Sequence, residues 1–230
     1  MDLSGKVVAV TGSDGALGGA VAATLSAYGA KLALLTRSTK APSSQLADAV
    51  HYGGVDLTEE KGVRSTMQRI AQDAGRLDGL INLAGGFRWE KLVDGTLESW
   101  DAMYRLNLRT AVLSCQAALP YLLKSGNGRI VNVGALAAVK AASGMGAYAA
   151  SKAGVAKLTE ALADELKGRG VTVNAILPSI LDTPKNRLDS PDADFTRWVT
   201  PVEAAEVIAF LISDHASAVT GALLPVAGRV

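Results

Sequence analysis

The chain has 230 residues, 49% of them hydrophobic, and a net charge of +1 with both signs interspersed. That length suits one large domain or two small ones with a sizeable core. The balanced charge excludes the basic or acidic surfaces that nucleic-acid and anionic-membrane partners require. The one cysteine, Cys115, excludes an internal disulfide framework and fits a reducing, cytoplasmic setting. It lies in an apolar helical run, which predicts a buried thiol. His51 and His215 lack metal-ligand spacing, so no metal site is expected. No signal-peptide core is visible at the N-terminus, and no apolar run reaches the roughly 18 residues of a membrane span.

In chain order, residues 6–10 form a short apolar run with β-branched residues, as a strand buried on both faces of a parallel sheet does. Thr11-Gly12-Ser13-Asp14-Gly15-Ala16-Leu17-Gly18 then turns into a helical run at 20–28. A glycine-rich turn between strand and helix brings backbone N–H groups to a pyrophosphate at the helix N-terminus. The next strand, 31–35, ends in Thr36-Arg37-Ser38. In dinucleotide folds an acidic residue about 20 positions beyond the glycines selects NAD through the ribose 2′-OH. Here Thr36 holds that place and Arg37 follows. No carboxylate repels a 2′-phosphate there, and a guanidinium is available to pair with one. NADP(H) is therefore favoured over NAD(H), although Asp14 counts somewhat against it. Arg37 as a solvated residue, or stacked on adenine with NADH bound, is the alternative. A third strand is expected over 50–55. Asp56 and Leu57 follow it, and Asp56 also suits a cap on the helical run 61–74.

Strand 77–83 leads into Asn82-Leu83-Ala84-Gly85-Gly86, and then Phe87-Arg88-Trp89. Those aromatics fall just past a strand's carboxyl end, where open α/β sheets bind ligands. Phe87 and Trp89 are thus candidates to hold a planar substrate, with a hydrophobic plug under a loop as the equal reading for Trp89. A long helix is expected over 100–124. After the strand 129–133 comes a Gly/Ala/Ser-rich loop and a helix that opens with Tyr148 and carries Lys152. Four residues apart is one turn on one helix face. An ammonium there lowers a tyrosine pKa from about 10 and equips it to pass a proton at neutral pH.

These motifs, in this order, resemble the short-chain dehydrogenase/reductase family over essentially the whole chain. The matching segments are Thr-Gly-x-x-x-Gly-x-Gly at 11–18, with Ala16 in place of a usual Gly, then Asp56, then Asn82 with Ala84-Gly85, then Trp100-Asp101 to Asn107-Leu108, then Tyr148 with Lys152, and Pro178 to Thr183. The resemblance implies a single doubly wound, Rossmann-type α/β domain with a mostly or fully parallel sheet of about seven strands. It assigns Tyr148, Lys152 and Asn107 to catalysis. The phosphate loop, Asp56, Leu57, Asn82, Ala84, Gly85, Pro178, Leu181 and Thr183 go to the cofactor. Relatives pair through the helices at 100–124 and 147–167, which implies a homodimer or homotetramer. One family feature is missing: most members carry Ser thirteen residues before the Tyr, and that place is Ala135. An oxyanion-type hydrogen bond lowers the barrier by about 3 kcal/mol, so Ser143 or Ser179 replaces it or the substrate does not need it.

A narrower likeness is to the dihydropteridine reductase branch. It rests on Gly-Ala-Leu-Gly at 15–18, Ala-Gly-Gly-Phe at 84–87, the alanine at 135, and the long match at 177–198. The implied activity is NAD(P)H-dependent hydride transfer to a small conjugated substrate, a quinonoid dihydropterin. The alternatives are a general carbonyl reductase or alcohol dehydrogenase and, in a different class, a non-catalytic dinucleotide sensor. Residues 179–200, polar and proline-containing, are expected to form a mobile lid over the substrate.

Overall fold

The structure, a computed structural model, describes residues 1–40, 46 and 49–230. Seven strands, β1 (Val7–Thr11), β2 (Lys31–Leu35), β3 (Ala49–Tyr52), β4 (Gly79–Asn82), β5 (Gly128–Val133), β6 (Val171–Pro178) and β7 (Leu223–Val226), form one sheet in the order β3-β2-β1-β4-β5-β6-β7. Every pairing is parallel. Helices cover both faces: α1 (Ala16–Ala27), α2 (Glu60–Ala74), α3 (Leu97–Met103), α4 (Thr110–Ser125), α5 (Gly146–Glu165), α6 (Pro184–Asp189) and α7 (Pro201–Ile212). This is the doubly wound fold that the strand–helix alternation implies.

Central strands read as continuous apolar runs because both their faces are covered. All five residues of β1 and all eight of β6 are buried. On one face, Val7, Ala9, Leu80 and Ile130 pack with Val63, Met67 and Ile70 of α2 and Leu122 of α4. On the other, Val8, Val10, Ile81 and Val131 pack with Val21 and Leu25 of α1 and Ile208 and Ile212 of α7. Helix α7 starts sharply because Thr200 and Glu203 exchange bonds in a capping box and Pro201 opens the first turn. The order reverses between β1 and β4, which opens a crevice at their carboxyl ends.

Several boundaries differ from the sequence expectation. Helix α1 begins at Ala16, four residues earlier than the apolar run suggested. Strand β3 ends at Tyr52 because Gly53-Gly54 follows and Gly54 takes φ +74°. The last strand, Leu223–Val226, is short and pairs with β6 alone. The long helix at 100–124 is three segments, since Tyr104–Arg109 widens into a π-turn between α3 and α4. Such π-bulges are frequent at functional sites. The expected lid 179–200 carries α6, a 3₁₀ turn at Phe195–Arg197 and a bridge between Leu181 and Val199. Among the described residues no helix is long and apolar enough to cross a membrane.

Candidate active site

The phosphate loop is built by its backbone. Gly12 takes φ +65°, and a Cβ there would lie 2.9 Å from the Ala84 backbone, so only glycine fits. The Gly12 N–H donates to the Leu35 carbonyl at 3.0 Å, and the Ser13 N–H and hydroxyl reach the same oxygen at 3.4 Å. The Ser13 side chain is thereby turned towards β2. The first backbone bond of α1 runs from Gly19 N to Gly15 O, at 2.9 Å. The N–H groups of Ala16, Leu17 and Gly18 precede that ladder and stand at the positive end of the helix dipole. Ala16 is exposed at the rim, so its extra methyl meets no neighbour in the core. Thr11 ties this loop to the next: its Oγ1 accepts from the N–H groups of Leu83 and Ala84, at 3.1 and 3.3 Å.

Beside the loop lies a groove of about 190 Å³ lined by Gly12, Asp14, Arg37, Asp56, Leu57 and Gly85. The Arg37 guanidinium is largely exposed and stands 3.8 Å from the Asp56 carboxylate. Asp56 Oδ1 accepts from both the N–H and the hydroxyl of Thr58, at 2.9 and 2.7 Å, which with Arg37 holds its carboxyl below the usual range. Thr36, buried beneath Arg37, donates to the Ser38 carbonyl at 2.8 Å and meets His51 Nε2 at 2.7 Å. That brace fixes the turn presenting Arg37.

Deeper in the crevice, Lys152 is buried and donates to the Val133 carbonyl at 2.7 Å. Burial pulls its pKa down to about 8. Half-buried Tyr148 is pushed up to about 12, also by burial. This reverses the expected direction for Tyr148. Loss of phenolate hydration sets the direction, and the Lys152 ammonium is turned to the Val133 carbonyl. At neutral pH the Tyr148 hydroxyl therefore carries its proton. Phe87 stacks edge-on against the Tyr148 ring, centroids 4.9 Å apart.

Asn107, 2% exposed on the π-turn, joins these parts. The Gly86 N–H donates to Asn107 Oδ1 at 2.8 Å, and Asn107 Nδ2 donates to the Gly86 carbonyl at 3.1 Å and to Ser151 Oγ at 2.9 Å. Ser151 in turn donates to the Tyr148 carbonyl at 2.7 Å. A Cβ on Gly85 would sit 2.6 Å from Asn107 Oδ1 and 3.4 Å from Lys152 Nζ, so the 85–86 turn rests directly on Asn107 and Lys152. The sequence reading did not single out Ser151, though its place between Tyr148 and Lys152 was the available signal.

Other candidates fall differently. The Asn82 side chain turns into the core, donating to Asn132 Oδ1 at 2.8 Å and towards Cys115 Sγ at 3.3 Å. Burial pushes the Cys115 thiol up to about 12, so it is no nucleophile at neutral pH. Ala135, 6% exposed, follows β5 and carries only a methyl. Of the proposed replacements, Ser179 is spent: its hydroxyl donates to the Ala227 carbonyl at 2.7 Å. Ser143 is exposed, and its carbonyl receives the Trp89 indole N–H at 3.0 Å. Trp89, 57% exposed, thus lies over the 143–144 turn and joins two loops, where a plug under a loop would be buried. Pro178 ends β6, Leu181 bridges to Val199, and Thr183 caps α6 by accepting from Asn186 N at 3.2 Å.

The family model for short chain dehydrogenases matches residues 6–194. The chain is 34% identical to 3-oxoacyl-(acyl-carrier-protein) reductase FabG of Thermotoga maritima, covering 99% of this chain and 98% of that one. It is also 34% identical to D-threitol dehydrogenase of Mycolicibacterium smegmatis, covering 98% and 93%. Among solved structures, a short-chain type dehydrogenase/reductase from Mycobacterium ulcerans superposes with a TM-score of 0.92 at 26% identity, over 100% of this chain and 90% of that one. Carveol dehydrogenase from Mycobacterium avium in complex with NAD gives 0.87 at 27%, over 98% and 97%. None of these four names a pterin as substrate. With the family model spanning most of its length and two relatives matched nearly end to end, the chain belongs to the short-chain dehydrogenase family.

Proposed function

We propose that this protein is an NAD(P)H-dependent reductase of a small conjugated acceptor, with a quinonoid dihydropterin as the specific case. The residues of the crevice fit a dinucleotide: a glycine-built cradle at a helix N-terminus, an adenosine-sized groove, and a buried ammonium beside the reactive end. When bound, the nicotinamide supplies the hydride. Tyr148 delivers the proton from its hydroxyl, which burial keeps protonated well above neutral pH. Lys152 binds the nicotinamide ribose and holds positive charge beside the Tyr148 ring. Asn107 and Ser151 fix the turn of α5 that carries both. Asp56 and Leu57 would hold the adenine, and Thr183 the carboxamide. Arg37, exposed and with no carboxylate at position 36, favours NADP(H).

The observation that carries this reading is Ala135. A ketone reduced by hydride localises charge on one oxygen and gains from a second donor. A conjugated ring spreads that charge, so a site with Tyr148 as its donor and a methyl at 135 suits it. The test is oxidation of NADPH and NADH by purified protein against quinonoid dihydropterin and simple ketones. Turnover of the pterin with weak ketone activity supports the reading. Ketone turnover with the pterin untouched sinks it.

A second reading, reduction of carbonyl compounds or oxidation of alcohols, is favoured by the relatives named for such substrates. It needs Ser143 as the second donor, and Ser143→Ala would then cost 10²-fold or more. A sensor without catalysis would bind cofactor and oxidise it with nothing in the panel. Pairing of two or four chains through α4 and α5 belongs to the same proposal, and light scattering in solution reads it directly.

A further inference from the structure

The stretch 177–198 is the longest distinctive segment of the sequence, and its polar side chains are spent on one another. Arg187 Nε and Nη2 fork the two oxygens of Asp182, at 2.6 and 2.8 Å. The same guanidinium stacks 4.7 Å over the Phe195 ring, and Phe195 leans on Trp198 with centroids 4.9 Å apart. Trp198 is buried, 4% exposed. The backbone closes the same ring: Asp182 N donates to Val199 O at 2.7 Å, and Val199 N to Ile180 O at 3.1 Å. Inside it, Asn186 Nδ2 donates to Leu181 O at 2.8 Å, and Asp194 caps the 3₁₀ turn. On its far side Arg229 N donates to Arg197 O at 2.9 Å, and Arg197 Nε to Arg229 O at 2.8 Å.

An isolated exposed ion pair contributes little. A bidentate fork whose cation also stacks, within a loop already closed by backbone bonds, acts as a unit instead. We propose that Arg187 is a positioning residue: it folds 180–199 into a preformed wall that holds Thr183 and α6 at the carboxyl end of β6. This rests on the proposed function for the placing of Thr183 beside the cofactor. The consequence concerns specificity. Asp182, Asn186, Arg187, Phe195 and Trp198 build the wall and do not read the acceptor, so acceptor choice falls to Ala135, Phe87 and the 143–144 turn.

The test compares Arg187→Ala, Arg187→Lys and Phe195→Leu with the unaltered protein. Two readouts need no acceptor: amide hydrogen exchange across 180–199, and titration with NADPH followed by its fluorescence. Arg187→Ala should lose about tenfold protection in that segment alone, with NADPH bound about five- to tenfold more weakly. Steady-state rates on two chemically different acceptors should then show KM raised, kcat within about threefold, and the kcat/KM ratio of the acceptors unchanged within about twofold. Lysine should restore less than half of the loss, since it neither forks nor stacks in the same way. Phe195→Leu removes the stack alone and should give a smaller change in the same direction, which covers the case that Arg187→Ala does not fold. Unchanged exchange and NADPH affinity would overturn the proposal. So would a shifted acceptor ratio, because the segment would then be reading the substrate. A failure of pterin turnover leaves the exchange and titration results intact, so the two ideas fail separately.

Discussion

The two ends of the crevice are built on different principles. The adenosine end is made of backbone and of exposed side chains: the Gly12 turn, the free N–H groups of α1, and Arg37 loosely facing Asp56. The reactive end is made of buried side chains, with Asn107, Ser151 and Lys152 at 2%, 5% and 6% exposure and each hydrogen-bonded to a neighbouring element. An exposed, solvated contact is worth little and tolerates change. A buried polar network fails when one member is lost, because the remaining partners have no water to turn to. The reactive end should therefore be far more sensitive to substitution.

The largest effect expected is at Tyr148. Tyr148→Phe removes the proton donor and should lower kcat by about 10²–10⁴ while NADPH affinity changes little. Steady-state kinetics with a binding titration separates the two. Next, Asn107→Ala strips partners from Gly86 and Ser151, about 1–3 kcal/mol for each buried group left unsatisfied. It should lower both the thermal midpoint and kcat, whereas Ser151→Ala should move the same way by less.

Lys152 gives a pH signature. Burial holds its pKa in the folded protein at about 8, below the 10.5 of a free lysine. As pH rises through 8 the ammonium is lost and the rate of reduction should fall. Between 8 and 10.5 the unfolded chain binds the extra proton, so this group makes folding stability rise with pH in that window. Rate and stability should thus move in opposite directions, and Lys152→Met should remove both slopes. A rate that stays flat to pH 10 would break the account of this end. At the adenosine end the effect is smaller: Arg37→Ala should weaken NADPH about tenfold and leave NADH within about twofold. Equal loss with both cofactors would mean that Arg37 does not read the 2′-phosphate.

The same contrast explains what was legible in the sequence. The adenosine end follows from local chemistry, a glycine turn between an apolar strand and a helix, so spacing alone located it. The parallel sheet was legible for the same reason, from apolar runs alternating with helical ones. At the other end spacing put Tyr148 and Lys152 one turn apart on one helix but did not show their charge state, which depends on burial by elements distant in the chain. The π-turn at 104–109 and the Ser151 link to Asn107 arise only when α5 packs beside it. Residues 179–200 read as a lid from their polarity, length and position, but spacing does not show which of these polar residues bond one another. Arg187 and Asp182 are polar because they bond each other. Likewise Ser179 looked available as a donor until Ala227 came beside it.

The most direct test of the central claim is Ala135→Ser measured on two acceptors, a quinonoid dihydropterin and a simple ketone, with the same reduced cofactor. Restoring the hydroxyl should raise ketone kcat/KM by about tenfold or more and leave the pterin within about threefold, since the donor matters only where charge localises on one oxygen. An equal gain on both acceptors, or ketone turnover in the unaltered protein that the hydroxyl does not improve, would contradict the claim that Ala135 limits what this site reduces.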